Sequence, residues 1–309
     1  MTLQQLEYIR ALDIERNFVR AAERCFVTQP SLTMQVQKLE EQLGVKIFDR
    51  SKKPLIPTPV GELIVAQAKI VLKEAERVKE IVAEQEGKLT GTLKIGIIPT
   101  LAPYLLPLFV PVFEKRYPEI RLLVQELQTD TIVKRLRSDE LDLGILVTPL
   151  EEKGIQETVL FNEPMMAYVG RNHRLFKRNT IDASELDLDD TWLLSEGHCL
   201  RAQVLNICKS HQNNDVQNFV FESGSLETLE RLVEEHRGMT ILPYLATLKL
   251  TSSQKKLLRE FKGQVPVREV SFATNRVHVK TAMIDALAET IKATIPTELK
   301  EKTGEVIPI

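Results

Sequence analysis

The sequence predicts an all-α N-terminal domain, a long linker helix, and a C-terminal α/β domain built from two subdomains. Three observations predict this class. Apolar residues recur at helical spacing through the first 43 residues, spacings of three and four alternate from Pro59 to Gln85, and strand-like and helix-like segments alternate after Leu89. These patterns divide the chain into residues 1–58, 59–87 and 88–309.

The composition is that of a globular protein with a sizeable core. The chain has 309 residues, 43% of them hydrophobic and 27% charged, with a formal net charge of −2. It contains no apolar run of the roughly 18 residues that a membrane-spanning helix needs, and its first residues lack a signal-peptide core. We therefore expect a cytoplasmic protein with no membrane partner, no bound metal and no cofactor. Its three cysteines are an odd number for a disulfide framework, so any disulfide is expected to be transient.

The spacing of apolar residues predicts three short amphipathic helices in residues 1–43. Between the second and the third, Thr28 supplies a capping oxygen and Pro30 falls in the first helical turn. Gly44 then ends the third helix. A short turn between two small helices is typical of a helix-turn-helix. By pattern alone, a generic three-helix bundle fits equally well.

The third helix and the loop after it carry the polar and basic residues of this domain. Residues 1–58 contain nine Lys and Arg against seven Asp and Glu, so the domain is mildly basic. Neutral polar side chains suit base edges and lysine suits phosphate, so we expect DNA contacts from Gln29, Ser31, Thr33, Gln35 and Lys38. A positively charged turn also suits phosphate groups, and the turn after the third helix contains Lys46, Arg50, Lys52 and Lys53. A merely solvated turn is the alternative interpretation. Cys25 is expected to be a packed core thiol.

A stripe of small and apolar residues predicts a coiled-coil helix from Pro59 to Gln85. Spacings of four and three place on this stripe Ile64, Ala68, Val71, Ala75, Val78, Val82 and Gln85. One helix cannot bury such a stripe alone, so we expect it to pair with a second copy of the chain. Packing of the helix on its own domain is the alternative. The segment 86–91 is expected to form a hinge.

Beyond the hinge, strands and helices alternate in a way that predicts a mainly parallel sheet. The predicted strands are "LKIGII", "RLLVQEL", "LDLGILV", "TWLLS", "NFVFE" and "MTILP". Subdomain I is assigned to residues 88–162 and 267–309, and subdomain II to residues 163–266. Thr100 and Thr129 follow the first two strands. Ligands of such sheets lie beyond the carboxyl ends of the strands, so we expect both hydroxyls in one crevice; each threonine is alternatively a helix cap.

Two of the three cysteines lie nine positions apart in "GHCLRAQVLNIC". Apolar spacing makes residues 203–209 helical and places Cys208 on the buried face. Cys199 is then expected at the helix N-terminus, beside His198 and near Arg201, where the helix dipole and positive charge favour the thiolate. It is the candidate nucleophile.

The predicted helix keeps these two cysteines apart. Nine helical residues span about 13–14 Å, whereas the Cα atoms of a disulfide lie roughly 4.4–6.8 Å apart. Joining Cys199 to Cys208 would require the helix to open, and the polar segment 209–218 is expected to move with it. The alternative is two unrelated cysteines, one near a helix start and one in the core.

The stretch "FVRAAERCFVTQPSLTMQVQKLEEQLGVKIFDR" resembles the N-terminal winged helix-turn-helix of LysR-type transcriptional regulators. The resemblance implies a recognition helix over residues 29–43, including Pro30, and a wing near residues 46–55 in which Arg50 contacts the DNA backbone or the minor groove. It also implies a dimer through the linker helix, usually a tetramer overall. The C-terminal half is expected to be a regulatory domain similar to periplasmic binding proteins.

A narrower resemblance covers most of the chain. "GHCLR", the second cysteine nine positions on, "SLETL" and "LKIGIIPTLAPYLLP" are similar to the hydrogen-peroxide-sensing members of the LysR family. That resemblance implies a peroxidatic Cys199 and a resolving Cys208, with a peroxide pocket formed by Thr100, Thr129, His198 and Arg201. One departure is Val220 before Phe221, where some members carry a histidine.

The same resemblance implies a set of partners. They are double-stranded DNA, hydrogen peroxide, RNA polymerase, further copies of the chain, and a thiol reductant such as glutaredoxin or thioredoxin. The protein would act as a regulator and not as an enzyme. Two other classes stay open: a LysR-type regulator that senses a metabolite between its subdomains, and a thiol peroxidase or solute-binding protein that uses the α/β half alone.

Overall fold

The computed structural model describes residues 1–85, 89–208, 223–235, 238–275, 280–300 and 304–308. The chain forms two compact units, Met1–Lys88 and Leu89–Ile309. Within the described residues, every helix is too short or too polar to cross a membrane.

The N-terminal unit is a helical domain with a two-stranded ribbon. In chain order its elements are α1 (Leu3–Glu15), α2 (Phe18–Arg24), α3 (Gln29–Leu43), β1 (Phe48–Asp49), β2 (Ile56–Pro57) and α4 (Pro59–Gln85). Strands β1 and β2 pair antiparallel and form the wing.

Capping residues explain where these helices begin and end. Thr2 and Gln5 form a capping box at the start of α1, and the Asn17 side chain accepts from two backbone N–H groups at the start of α2. Gly44 ends α3 in the left-handed conformation, with a φ of 70°. The predicted cap at Thr28 is wrong: its side chain makes no capping hydrogen bond, and α3 begins with a proline in its first turn instead.

Helix α4 packs against its own domain along its first half. Val65, Ala68 and Leu72 are buried in the N-terminal core. This corrects the predicted stripe, because Ala68 was expected to face a second chain. Among the described side chains of α4, the exposed large apolar ones are Val60, Leu63, Ile70 and Val78, and of these Val78 belongs to the predicted stripe. The side chains of Val82 and Gln85, also on the predicted stripe, lie outside the described residues.

The C-terminal unit contains nine strands and seven helices among the residues described. Its first half comprises β3 (Gly91–Ile97), α5 (Ala102–Arg116), β4 (Ile120–Glu126), α6 (Thr129–Arg137), β5 (Leu143–Thr148), β6 (Ile155–Val169) and β7 (Thr180–Ile181). Its second half comprises α7 (Cys199–Ile207), α8 (Leu226–Glu235), β8 (Met239–Pro243), α9 (Tyr244–Thr247), α10 (Ser252–Lys255), β9 (Leu258–Phe261), β10 (Pro266–Asn275), α11 (Thr281–Thr294) and β11 (Glu305–Val306).

The strands form one mixed sheet. Its order is β4-β3-β5-β10-β6-β9-β7, with β8 beside β6 and β11 beside β10. Strand β3 pairs parallel with β4 and β5, but β10 is antiparallel to β5 and β6, and β6 is antiparallel to β8 and β9. The prediction of a mainly parallel sheet is therefore wrong for the pairs that β6 and β10 make with β5, β8, β9 and each other, whereas β10 with β11 and β7 with β9 are parallel. It fails because neither β6 nor β10, the two longest strands, was among the predicted strands, and these two strands make the antiparallel pairs.

Two hydrophobic cores lie in this unit. The first surrounds β3, β5, α5 and α11, and the second surrounds β8, α7 and α8. The chain passes from one to the other within β6, between Phe161 in the first core and Met165 in the second.

Not every predicted strand of the second core forms. The segment "TWLLS" makes only isolated bridges, from Thr191 to Met239 and from Leu194 to Ser223. The predicted strand "NFVFE" and the polar segment 209–218 lie outside the described residues.

Candidate functional site

The starts of two helices meet at Cys199. Cys199 is the first residue of α7, and Thr129 is the first residue of α6. The Thr129 Oγ1 atom lies 2.9 Å from the Cys199 Sγ atom. Just before α7, Gly197 adopts a φ of 87°, a left-handed conformation that glycine adopts without steric cost. This turn brings two residues that are 70 positions apart into contact.

Burial controls the protonation of the Cys199 thiol. Burial raises the pKa of Cys199, while the Thr129 hydroxyl and, next, the positive charge of Arg268 act in the opposite direction and lower it. The expectation of a thiolate favoured by His198 and Arg201 is therefore wrong in its direction and in its partners. Burial also lowers the pKa of His198, which favours the neutral imidazole.

The arginine that acts on the thiol belongs to a buried network. Arg268 is fully buried and donates from Nε to the Glu163 carboxylate at 2.8 Å. Its Nη1 and Nη2 atoms donate to the side chain and the carbonyl of Thr100, at 3.0 and 3.1 Å. The other Glu163 oxygen accepts from the backbone N–H of Leu245 at 2.7 Å. A buried charge is tolerated when it is paired and hydrogen-bonded in this way.

Sequence reasoning missed Arg268 and Glu163. A signal was present, because each is a charged residue within a strongly apolar strand segment, "PVREVSFAT" and "FNEPMMAYV", and buried charges of this kind need partners. The sequence did not indicate that they pair with each other.

A cavity of about 510 Å³ opens in front of the thiol. Three of the predicted site residues line it: Cys199, His198 and Thr129. Thr100 and Arg201 are not among its described wall residues. Thr100 is buried and instead holds Arg268, and Arg201 donates to the carbonyl of Leu194 at 2.9 Å. The structure thus corrects the expectation that both threonine hydroxyls face one crevice.

The second cysteine lies at the opposite end of α7. Cys208 is the C-terminal cap of the helix and is buried in the second core. Burial, with a smaller contribution from two nearby aspartates, raises its pKa to about 12. Both Cys199 and Cys208 are free thiols, and the intact helix holds their backbones about 13 Å apart at 1.5 Å per residue.

The predicted DNA-contacting residues lie on α3 and in the wing between β1 and β2. The exposed members are Gln29, Pro30, Lys38, Arg50, Lys52 and Lys53, and the half-buried members are Ser31, Thr33 and Gln35. Gln29 donates to the Thr33 hydroxyl at 3.0 Å. The Gln35 side-chain oxygen accepts from Gln5 on α1, so this side chain also joins two helices.

A buried glutamate fixes the wing to α3. Glu40 accepts from the backbone N–H groups of Ile47 and Phe48 and forms an ion pair with Arg50 at 3.1 Å. The Arg50 guanidinium also lies over the ring of Phe18, 5.2 Å from its centroid. Arg50, expected to contact DNA, is therefore first a structural link between the wing and two helices.

These two units define a DNA-binding transcriptional regulator with an α/β sensory half. The model for bacterial regulatory helix-turn-helix proteins of the LysR family matches residues 3–62, and the model for the LysR substrate-binding domain matches residues 86–296. The chain belongs to the LysR family.

Among LysR proteins, the chain is similar to OxyR. It is 37% identical over 247 residues to the DNA-binding transcriptional dual regulator OxyR of Escherichia coli K12, which covers 80% of each chain. It also matches a full-length OxyR variant of Pseudomonas aeruginosa, at 36% identity and a TM-score of 0.75, over 96% of this chain and 99% of the other. An H2O2-bound OxyR variant of Corynebacterium glutamicum matches at 27% identity and a TM-score of 0.61, over 95% and 92% of the two chains.

Proposed function

We propose that this protein binds DNA through its helix-turn-helix and regulates transcription in response to hydrogen peroxide, which oxidises Cys199. The observation that carries the proposal is the 2.9 Å contact between the Thr129 hydroxyl and the Cys199 sulfur at the wall of a cavity. A hydroxyl at this distance stabilises the thiolate and can hold a peroxide oxygen beside it. The similarity to peroxide-responsive OxyR proteins supports the same chemistry.

The chemistry is a two-step oxidation. The Cys199 thiolate attacks one peroxide oxygen, so that an S–O bond forms, the O–O bond breaks, and the leaving hydroxide takes a proton to become water. Cys199 becomes a sulfenic acid. The Cys208 sulfur then attacks the Cys199 sulfur, which forms the disulfide and releases a second water molecule. The neutral His198 at the cavity wall is suited to hydrogen-bond the peroxide.

The second step requires α7 to open. Its hydrogen bonds to the C-terminal segment, from Gln203 to the carbonyl of Ile307 at 2.9 Å and from Asn206 to the carbonyl of Pro308 at 3.0 Å, then break. Cys208 also leaves the second core, where it is buried in the reduced form. The disulfide thus converts a chemical event into a rearrangement of this half of the regulatory unit.

The exposed apolar face of α4 indicates how copies of the chain would assemble. Leu63 and Val78 are 72% and 63% exposed, and Val60 and Ile70 are each 41% exposed, so this face is suited to pair with a second chain. We propose a dimer through it, assembled into a tetramer, with α3 and the exposed Lys52 and Lys53 of the wing on DNA. RNA polymerase would be the downstream partner, and a cytoplasmic thiol reductant such as glutaredoxin or thioredoxin would reset the switch. One oxidation per signal, reset by another protein, is regulation and not enzymatic turnover.

The peroxide response is tested by thiol titration together with DNA footprinting. Near-stoichiometric peroxide should remove two of the three thiols per chain and shift the footprint in the same samples. Cys199→Ser should bind DNA but show neither change, whereas Cys25→Ser, the matched control, should lose two thiols and shift its footprint like the unmodified chain. A Cys199→Ser variant that still responds to peroxide would overturn the proposal.

The DNA contact is tested by its salt dependence. Replacing Lys52 and Lys53 by alanine should weaken binding about equally for all sequences and reduce the slope of log affinity against log salt by about 2 for each DNA-bound subunit. Lys69→Ala is the control, because Lys69 pairs with Asp13 within the domain, at 2.9 Å. An unchanged slope in the double variant would remove the wing from the interface.

A further inference from the structure

The cavity at Cys199 is far larger than hydrogen peroxide requires. Its volume is about 510 Å³, whereas a site for one water-sized molecule needs roughly 10–15 Å³ by the same kind of measure. Hydrogen peroxide has only two heavy atoms. Most of the space in front of the thiol is therefore not accounted for by the proposed reaction.

The walls of this space suit an alkyl group. Apolar side chains come from four separate parts of the fold: Val133 on α6, Pro149 and Leu150 after β5, Ala202 on α7, and Pro308 in the C-terminal segment. Ala202 follows Cys199 by three positions, so it lies on the same side of α7 within one turn. Apolar surface therefore begins next to the sulfur, where the carbon attached to a peroxide oxygen would lie.

The charged side chains at the cavity are acidic. Asp130, Glu151 and Glu152 contribute to its described walls, and Glu152 is paired with Arg137. His198, the described basic residue of the wall, has a pKa lowered by burial, which favours its uncharged form. Carboxylates near a binding site repel an anion, so the cavity disfavours a hydroperoxide that bears a carboxylate.

We propose that the Cys199 site also reacts with small uncharged organic hydroperoxides, whose alkyl groups occupy this cavity, and discriminates against anionic ones. This inference rests on the proposed function, because it uses the same thiol and the same Thr129 hydroxyl. The thiolate attacks the terminal oxygen of ROOH, the S–O bond forms and the O–O bond breaks, and the alkoxide takes a proton and leaves as the alcohol. Cys199 is oxidised by two electrons to the sulfenic acid, and the hydroperoxide is reduced.

The test compares rate constants for oxidation of Cys199 in the full-length protein by stopped-flow mixing. The oxidants are hydrogen peroxide, tert-butyl hydroperoxide, and a tertiary alkyl hydroperoxide of similar size that carries a carboxylate. We expect tert-butyl hydroperoxide to react at least 10-fold faster than it does with the same protein unfolded in urea. We expect the anionic oxidant to react at least 10-fold more slowly than tert-butyl hydroperoxide.

Two variants test whether the cavity is responsible. Ala202→Leu and, independently, Val133→Phe should lower the ratio of the tert-butyl hydroperoxide rate to the hydrogen peroxide rate at least 10-fold, because they fill the space that the alkyl group needs. Leu205→Phe is the matched control, since Leu205 is an exposed residue of the same helix and is not among the described wall residues. Its ratio should not change.

The outcomes separate this inference from the proposed function. If hydrogen peroxide oxidises the folded protein rapidly while tert-butyl hydroperoxide reacts no faster than with the unfolded chain, the inference is wrong and the proposed function stands. An unchanged ratio in both cavity variants, or an equally fast anionic oxidant, would also overturn the inference. If no oxidant reacts faster with folded than with unfolded protein, the proposed function itself fails.

Discussion

Replacing Thr129 by valine removes the contact on which the proposed chemistry depends. Valine has nearly the shape of threonine but no hydroxyl, so the variant loses the 2.9 Å contact to the Cys199 sulfur and keeps the packing at the start of α6. The Thr129 hydroxyl lowers the pKa of Cys199 against the effect of burial. Its removal should therefore raise that pKa.

The size of the effect follows from the strength of such contacts. A hydrogen bond to a charged group contributes about 1.5–3 kcal/mol, and one pKa unit corresponds to about 1.4 kcal/mol. Losing this contribution disfavours the thiolate, so the pKa of Cys199 should rise. Because the thiolate is the reactive form, oxidation at pH 7 should slow by about 10- to 100-fold.

The assay measures Cys199 in a Cys25→Ser, Cys208→Ser background. Iodoacetamide alkylation as a function of pH gives the pKa of the remaining thiol, and stopped-flow mixing with hydrogen peroxide gives the oxidation rate. Thr129→Ser is the matched control, since it keeps the hydroxyl; its rate should stay within about 3-fold of the parent. An alkylation profile of Thr129→Val that coincides with the parent profile would refute the reasoning. A rate loss that persists undiminished well above the pKa, where both proteins are fully ionised, would assign the effect to the contact of the hydroxyl with the peroxide and not to the pKa.

Three further predictions concern two buried charged residues and the C-terminal segment of the regulatory unit. Arg268→Met leaves the carboxylate of Glu163 buried without its partner and should cost about 3–5 kcal/mol of unfolding free energy, measured in urea; a loss below about 1 kcal/mol would contradict the buried pair. Burial raises the pKa of Glu230 from 4.5 to about 7, so the folded protein keeps a proton that the unfolded chain releases. The contribution of this group to stability is therefore fully present below pH 4.5 and is lost as the pH rises through 7. Glu230→Gln should therefore raise the thermal midpoint more at pH 8 than at pH 5, and equal shifts at both pH values would argue against this account. Deleting residues 305–309 removes the carbonyl that Gln203 binds and should speed amide hydrogen exchange in α7. Unchanged exchange would show that the C-terminal segment does not hold this helix.

Local patterns in the sequence predicted much of this protein. The helices of the N-terminal domain, the long helix α4, and the helix that starts at Cys199 all follow from the spacing of apolar residues, because that spacing encodes which side of one element is buried. Cys199 could be singled out for the same reason, since the start of a helix is a local property. The motif resemblance then identified the family, which the comparisons confirm.

The tertiary structure alone decided the surroundings of the thiol. Arg268 and Thr100 are 168 residues apart in the chain, and Arg268 reaches the site because β10 runs antiparallel between β5 and β6, an order that no local period contains. The direction of the Cys199 pKa shift is also absent from any local period, because burial depends on the elements packed around the sulfur. The burial of Ala68 on α4 is another such feature, because its own domain covers it. Periodicity determines which face of an element is apolar. Which distant residues come to lie against that face depends on sheet order and packing, and these exist only in the folded chain.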